Sequence, residues 1–162
     1  MTVAGLSLVP MKRQHVGAVS RLIQRIFAAQ VAPHFDSEGR AEFSNYVSPD
    51  ALIERLSCSR YLAVIALCGE TVVGAVELRD GRHISLMFVD GAHQGRGVGR
   101  TLFNRVLKEV RSQGTANITV HASPNAVDAY RSMGFHVSGA MQCRDGMYYV
   151  PMVRDSSGCN RC

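Results

Sequence analysis

Two periods of hydrophobic residues divide the chain. Between residues 14 and 30, Val16, Val19, Leu22, Ile23, Ile26 and Phe27 recur at helical spacing, which predicts one amphipathic helix. Pro33 ends the pattern, because proline cannot extend the amide ladder. Two shorter helices are expected over 36–46 and 49–57. Asp36 or Ser37 can cap the first, and Ser48 followed by Pro49 starts the second. Ahead of them, residues 6–10 (LSLVP) read as a strand. From residue 60 the period shortens. The runs RYLAVIAL (60–67), TVVGAVELR (71–79) and RHISLMFV (82–89) predict three antiparallel strands, with turns at Cys68-Gly69-Glu70 and Asp80-Gly81.

The helical period then returns. Val98, Leu102, Val106 and Val110, with Phe103 and Leu107 alongside, predict an amphipathic helix over 98–112. A strand at 115–121, a short helix at 124–133 opened by Pro124, and strands at 135–141 and 147–153 follow. Arg144-Asp145-Gly146 is the hairpin signal between the last two. The expected class is α+β (mixed α/β), with one central sheet and helices on its faces. One domain is expected over 1–154, with 155–162 as a flexible tail.

Composition narrows this picture. A chain of 162 residues with 46% hydrophobic and 19% charged residues suits one globular domain. No apolar run approaches the ~18 residues of a membrane span, and no signal-peptide pattern opens the chain, so a cytoplasmic location is expected and a membrane partner is not. The net charge of +5 favours anionic partners. Its basic residues are scattered and Trp is absent, which argues against nucleic acid. Five cysteines, an odd number, do not suggest a disulfide framework. Cys159-x-x-Cys162 has no second ligand pair at suitable spacing, so no metal is expected.

The most informative segment runs from Asp90 to Arg100 and joins a strand to a helix. Amides in the first turn of a helix lack intrahelical partners and can hold an anion. Glycines at 91, 95, 97 and 99 allow close approach, and Arg96 and Arg100 add positive charge, so a pyrophosphate is a natural occupant. Two other phosphate loops fail on spacing. The Walker A pattern meets Arg96 after Gly91 and Arg100 after Gly95; the dinucleotide pattern finds Gly95 and Gly97 but Arg100 at its third glycine.

Gln94-Gly95-Arg96-Gly97-Val98-Gly99 resembles the Q/R-x-x-G-x-G/A loop of the GNAT N-acetyltransferases. Ser123 to Phe135, ending in Tyr-x-x-x-Gly-Phe, resembles that family's second cofactor segment. The resemblance covers residues 60–153 well and the N-terminal helices in outline. It implies a mostly antiparallel twisted sheet of six to seven strands, splayed to form a wedge for acetyl-CoA, the acyl donor. It also implies the contacts. Gln94, Gly95, Arg96, Gly97, Val98, Gly99 and Arg100 would hold the pyrophosphate. Phe88 and Val89 would flank the pantetheine arm, with a strand bulge and an amide near Val89 for the thioester carbonyl. Ser123, Asn125 and Tyr130 would supply the second segment's contacts.

The implied reaction is direct attack of a primary amine, on a small molecule or peptide, within a ternary complex. Tyr130 falls on the position of the general acid. The base is open among His83, Glu77, His121 and a water relay. His34, Phe35, Phe43 and Tyr46 lie in the segment expected to wall the acceptor site, though their spacing also suits ordinary packing of short helices, the reading preferred for Phe43; Tyr148 and Tyr149 would approach from the last strand. Two other readings stand beside this one: a non-catalytic CoA-binding regulatory module, and a nucleic-acid-binding domain motivated only by charge. Acceptor identity and homodimer formation are left open.

Overall fold

A computed structural model describes residues 3–156. Strand β1 (Leu6–Pro10) leads into helices α1 (Val16–Ile26), α2 (Ser37–Tyr46) and α3 (Pro49–Leu56). Strands β2 (Tyr61–Cys68), β3 (Thr71–Arg79) and β4 (His83–Val89) form a meander. Helix α4 (Val98–Ser112), strand β5 (Asn117–Ala122), helix α5 (Val127–Ser132) and strands β6 (His136–Val137), β7 (Gln142–Arg144) and β8 (Met147–Asp155) complete the order. The sheet runs β1-β2-β3-β4-β5-β8-β6, and β7 pairs with β8. Every pairing is antiparallel except β4 with β5.

The caps and turns follow from local chemistry. The Asp36 carboxylate accepts from the Gly39 amide at 3.0 Å, and Ser48 Oγ accepts from the Ala51 amide at 3.3 Å. Asp80-Gly81 and Asp145-Gly146 both take positive φ at both positions, as a two-residue hairpin of the right twist requires.

Two elements depart from the sequence pattern. The helix expected over 14–30 is regular only from Val16 to Ile26, then widens into a π-type turn at Phe27–Val31. There Phe27 stacks on Phe43 at 4.2 Å and meets Phe35 edge-on, so ring packing and Pro33 shape this end. The strand expected over 135–141 is split into β6 and β7. Opposite the gap, Pro151 accepts from the Ser138 amide at 2.9 Å but has no amide to return, and the ladder stops. With these two short pieces counted, the sheet has eight strands.

Helices cover both faces of the sheet. On one face α4 places Val98, Leu102, Phe103 and Val106 against Val64, Val76, Leu78 and Ile118. On the other, Val16, Val19 and Ile23 of α1 and Leu52 of α3 meet Ile65, Ala75 and Leu86. Coverage of both faces explains why β2 reads as an unbroken apolar run.

The same sheet opens at its centre. Strands β4 and β5 pair only at His83–Thr119 and Ile84–Val120, then part. The register of β4 on β3 slips at this point. Leu78 faces Ile84 and Glu77 faces Leu86, leaving Ser85 as an extra residue in a bulge. Ile84 therefore packs toward α4 while Leu86, two residues on, packs toward α1. Regular alternation would have put them on one face.

Candidate active site

The gap between β4 and β5 is the floor of a cavity of about 560 Å³. Its β4 wall offers backbone donors. The Asp90 amide donates to the Val73 carbonyl at 2.8 Å, and donors alternate sides along an antiparallel ladder. The amides of Met87 and Val89 therefore face away from β3, toward the gap left by β5.

At one end of the cavity lies the glycine loop. Gly95 and Gly97 have φ of +73° and +86°, a region that disfavours other residues. Gly97 caps α4 without a side-chain bond, and the first helical bond is from the Thr101 amide to the Gly97 carbonyl. The six amides from Gly95 to Arg100 have no hydrogen-bond partner among the described residues. A Cβ added at Gly95 or Gly97 would meet no heavy atom within 4 Å, so the loop's outer side is open to a ligand. The loop is anchored elsewhere. Gln94 Nε2 donates to the Val89 carbonyl at 2.9 Å, and Asp90 is held by Arg25 at 2.7 Å and His93 at 2.8 Å. The His93 hydrogen bond, followed by Arg25, keeps the Asp90 carboxyl below the usual range. Arg100 reaches across to the Ser132 carbonyl at 3.0 Å, linking α4 to α5.

The structure sorts the residues singled out from sequence. Phe88, Val89, Gln94, Gly95, Gly97, Gly99, Arg100, Ser123, Asn125, Tyr130 and His121 all line the cavity. Arg96 is exposed outside it, and the Val98 side chain is in the core, leaving only its amide for the loop. Tyr130 is 7% exposed and borders the cavity, and burial pushes its hydroxyl well above the ordinary tyrosine pKa.

The three base candidates occupy different environments. His121 lines the cavity and stacks on Tyr149 at 4.1 Å. His121 is exposed on its strand, yet partial loss of water lowers its pKa, with Arg79 and Arg144 adding to the effect, so the ring is neutral near neutral pH. His83 sits behind it, edge-on at 4.7 Å, with Nδ1 2.9 Å from Thr119 Oγ1, and does not line the cavity. Burial, then His121, push its pKa down to about 4. Glu77 is 2% exposed beneath α2 and α3. It accepts from Tyr46 Oη at 2.7 Å, Ser85 Oγ at 2.7 Å and Arg55 Nε at 2.9 Å. That carboxylate is fully engaged and lies outside the cavity.

Phe35, Phe43, Phe88, Tyr148 and Tyr149 also line the cavity, and Phe35 pairs with Met147 in an isolated antiparallel bridge that ties this segment to β8. His34 and Tyr46 do not line the cavity. Burial and the Glu77 charge raise the Tyr46 pKa. Sequence reasoning missed Gln30, Val31 and Ser85. Gln30 follows the regular part of α1, where the apolar period stops being informative. A serine in the apolar run of β4 was the one visible sign of the bulge.

Among the described residues, no group of three or more His, Cys, Asp or Glu could hold a metal ion. Cys58 and Cys68 are half-buried, Cys143 is exposed, and all three are unpaired. The Cys159-x-x-Cys162 pair lies outside the described residues. No helix of the described residues is long and apolar enough to cross a membrane.

This geometry has counterparts. The family model for the acetyltransferase (GNAT) domain matches residues 31–156. Serotonin N-acetyltransferase 2, chloroplastic, of Oryza sativa subsp. japonica is 32% identical over 79 residues, 49% of this chain and 36% of that protein. The chain thus spans about a third of that relative's length. Among solved structures, a GCN5-related N-acetyltransferase from Rhodopseudomonas palustris aligns with TM-score 0.79 at 23% identity, covering 96% of this chain and 98% of that one. The PaiA N-acetyltransferase from Thermoplasma acidophilum, in complex with coenzyme A, aligns with TM-score 0.74 at 15% identity, covering 93% and 98%. At these identities the structural likeness is one of fold.

Proposed function

Since the chain belongs to the acetyltransferase (GNAT) family, we propose that it transfers an acetyl group from acetyl-CoA to a primary amine, by direct attack within a ternary complex. One observation carries this reading. Unpartnered loop amides, inward-facing β4 amides and two proton-transfer groups, Tyr130 and His121, share a single cavity. Acetyl-CoA is the donor substrate and supplies an activated thioester.

The chain's residues supply the rest. Amides from Gly95 to Arg100, with the Arg100 side chain, neutralise the pyrophosphate. Ser123 and Asn125 offer polar contacts beside that loop. Phe88 and Val89 line the path of the pantetheine arm. The Met87 and Val89 amides donate to the carbonyl oxygen on which negative charge grows. His121 takes the proton of the attacking amine, which it can do because its ring is neutral near neutral pH. As the N–C bond forms and the C–S bond breaks, Tyr130 gives its proton to the departing sulfur. The raised pKa keeps the hydroxyl protonated at neutral pH, and it also makes the phenol a weaker acid toward the thiolate. His83 supports His121 from behind, and Glu77 acts in the fold instead of as the base.

This reading treats the chain as a single acetyltransferase domain acting in the cytoplasm. Steady-state release of CoA thiol in the presence of amines is its test. We expect amine-dependent release that falls on the order of 10²-fold in Tyr130→Phe, with little change in acetyl-CoA affinity. Tight binding with no release on any amine would identify a CoA-binding regulatory module instead.

A further inference from the structure

The cavity that would receive the amine is unusual in charge. Among the described residues that line it there is no Asp or Glu, and its one formal cation, Arg100, is at the glycine-loop end. The lining is also rich in aromatic rings, drawn from two parts of the chain. One group is Phe35, Phe43 and Phe88, with Phe43 backed by Phe27 at 4.2 Å and 5.8 Å from Phe88. The other is Tyr148 and Tyr149, the latter stacked on His121. Of the carboxylates on neighbouring elements, Asp36, whose charge is felt at Tyr148, caps α2, Glu77 is paired with Arg55, and Asp90 with Arg25 and His93. Glu38 and Glu42 of α2 and Asp145 of the β7–β8 turn are exposed and do not line the cavity. The charged side chains felt at His121 are both cationic, Arg79 and Arg144.

From this arrangement we propose that the acceptor is a monoamine carried on an aromatic ring, such as an arylalkylamine, and not a polyamine or an amino sugar with several ammonium groups. The proposal rests on the acetyl-transfer reading above and adds the acceptor class. The reacting nitrogen must be neutral to attack, and His121 can take its proton. Each further ammonium would lose its water with no carboxylate on the cavity lining to replace it. A planar apolar body gains from the aromatic lining, by burial and by ring-on-ring contact. Phe35 is the side chain best placed to report on this, being half-buried at the cavity wall.

The experiment uses the full chain. Acetyl-CoA binding is measured by calorimetry, and CoA release is followed with 2-phenylethylamine, spermidine and kanamycin as acceptors. The expected result is saturable acetyl-CoA binding and a kcat/KM for 2-phenylethylamine at least about tenfold above the other two. In Phe35→Ala, KM for 2-phenylethylamine rises about tenfold while acetyl-CoA affinity holds. In Phe35→Glu, the preference moves toward spermidine. If acetyl-CoA binds but spermidine or kanamycin is used equally well or better, or 2-phenylethylamine is not used at all, the acceptor proposal is overturned. If acetyl-CoA itself does not bind, the acetyl-transfer reading falls and this proposal falls with it.

Discussion

His83 and His121 stand 4.7 Å apart on adjacent parallel strands, yet only His121 borders the cavity. Their substitutions should therefore separate. His121→Gln is expected to lower kcat on the order of 10²-fold with little effect on the melting temperature, as read by steady-state kinetics and thermal unfolding. His83 should show itself through stability and pH. Its folded pKa, about 4, lies below the 6.5 of an unfolded chain, so the unfolded state takes up its proton first as pH falls. Stability is then full above pH 6.5, declines between 6.5 and 4, and levels off below. The loss from this residue is on the order of 3 kcal/mol. Urea unfolding near neutral pH and near pH 4 should show a smaller decline in His83→Gln than in the wild type. An equal decline would place the effect elsewhere. Neither environment was legible in the sequence. Both histidines lie on strands near the same gap, and which one faces it depends on where β4 and β5 part.

Among elements, the tie between α3 and β3 matters most to the site. Arg55 lies over the Tyr46 ring at 3.7 Å and bonds Glu77, which in turn holds Ser85 at the bulge. Removing only the cation leaves a buried charge unpaired. Arg55→Met should cost about 3–5 kcal/mol in denaturant unfolding, and adding Glu77→Gln should recover part of that loss. Additive effects of the two changes would show that the pair is not coupled. The elements themselves were largely readable. Two periods of hydrophobicity, two Asp-Gly turns and the caps at Asp36 and Ser48 gave most helices and strands to within a few residues. The bulge was hidden because one inserted residue leaves composition unchanged while reversing faces. The break between β6 and β7 was hidden because its cause, Pro151, lies on the partner strand. Likewise, the burial of Glu77 beneath α2 and α3 could not be read from the β3 sequence.

Across the whole molecule, one sheet with covered faces opens at a single pair of strands, and the loop that follows β4 is aimed at the opening. The glycine loop and the Ser123–Phe135 segment made the donor end legible. The acceptor end was less so, because its walls come from α1, α2 and β8, which are distant in sequence and carry no motif. On the proposed reading, this opening, with the amides from Gly95 to Arg100 along it, binds acetyl-CoA. A calorimetric titration with acetyl-CoA tests it most directly, with ATP and the Gly97→Asp variant as comparisons. We predict saturable binding, tighter than that of ATP, and its loss in folded Gly97→Asp, where a carboxylate would meet the pyrophosphate. Absence of binding by the folded wild-type chain, or unchanged affinity in the variant, would contradict the account.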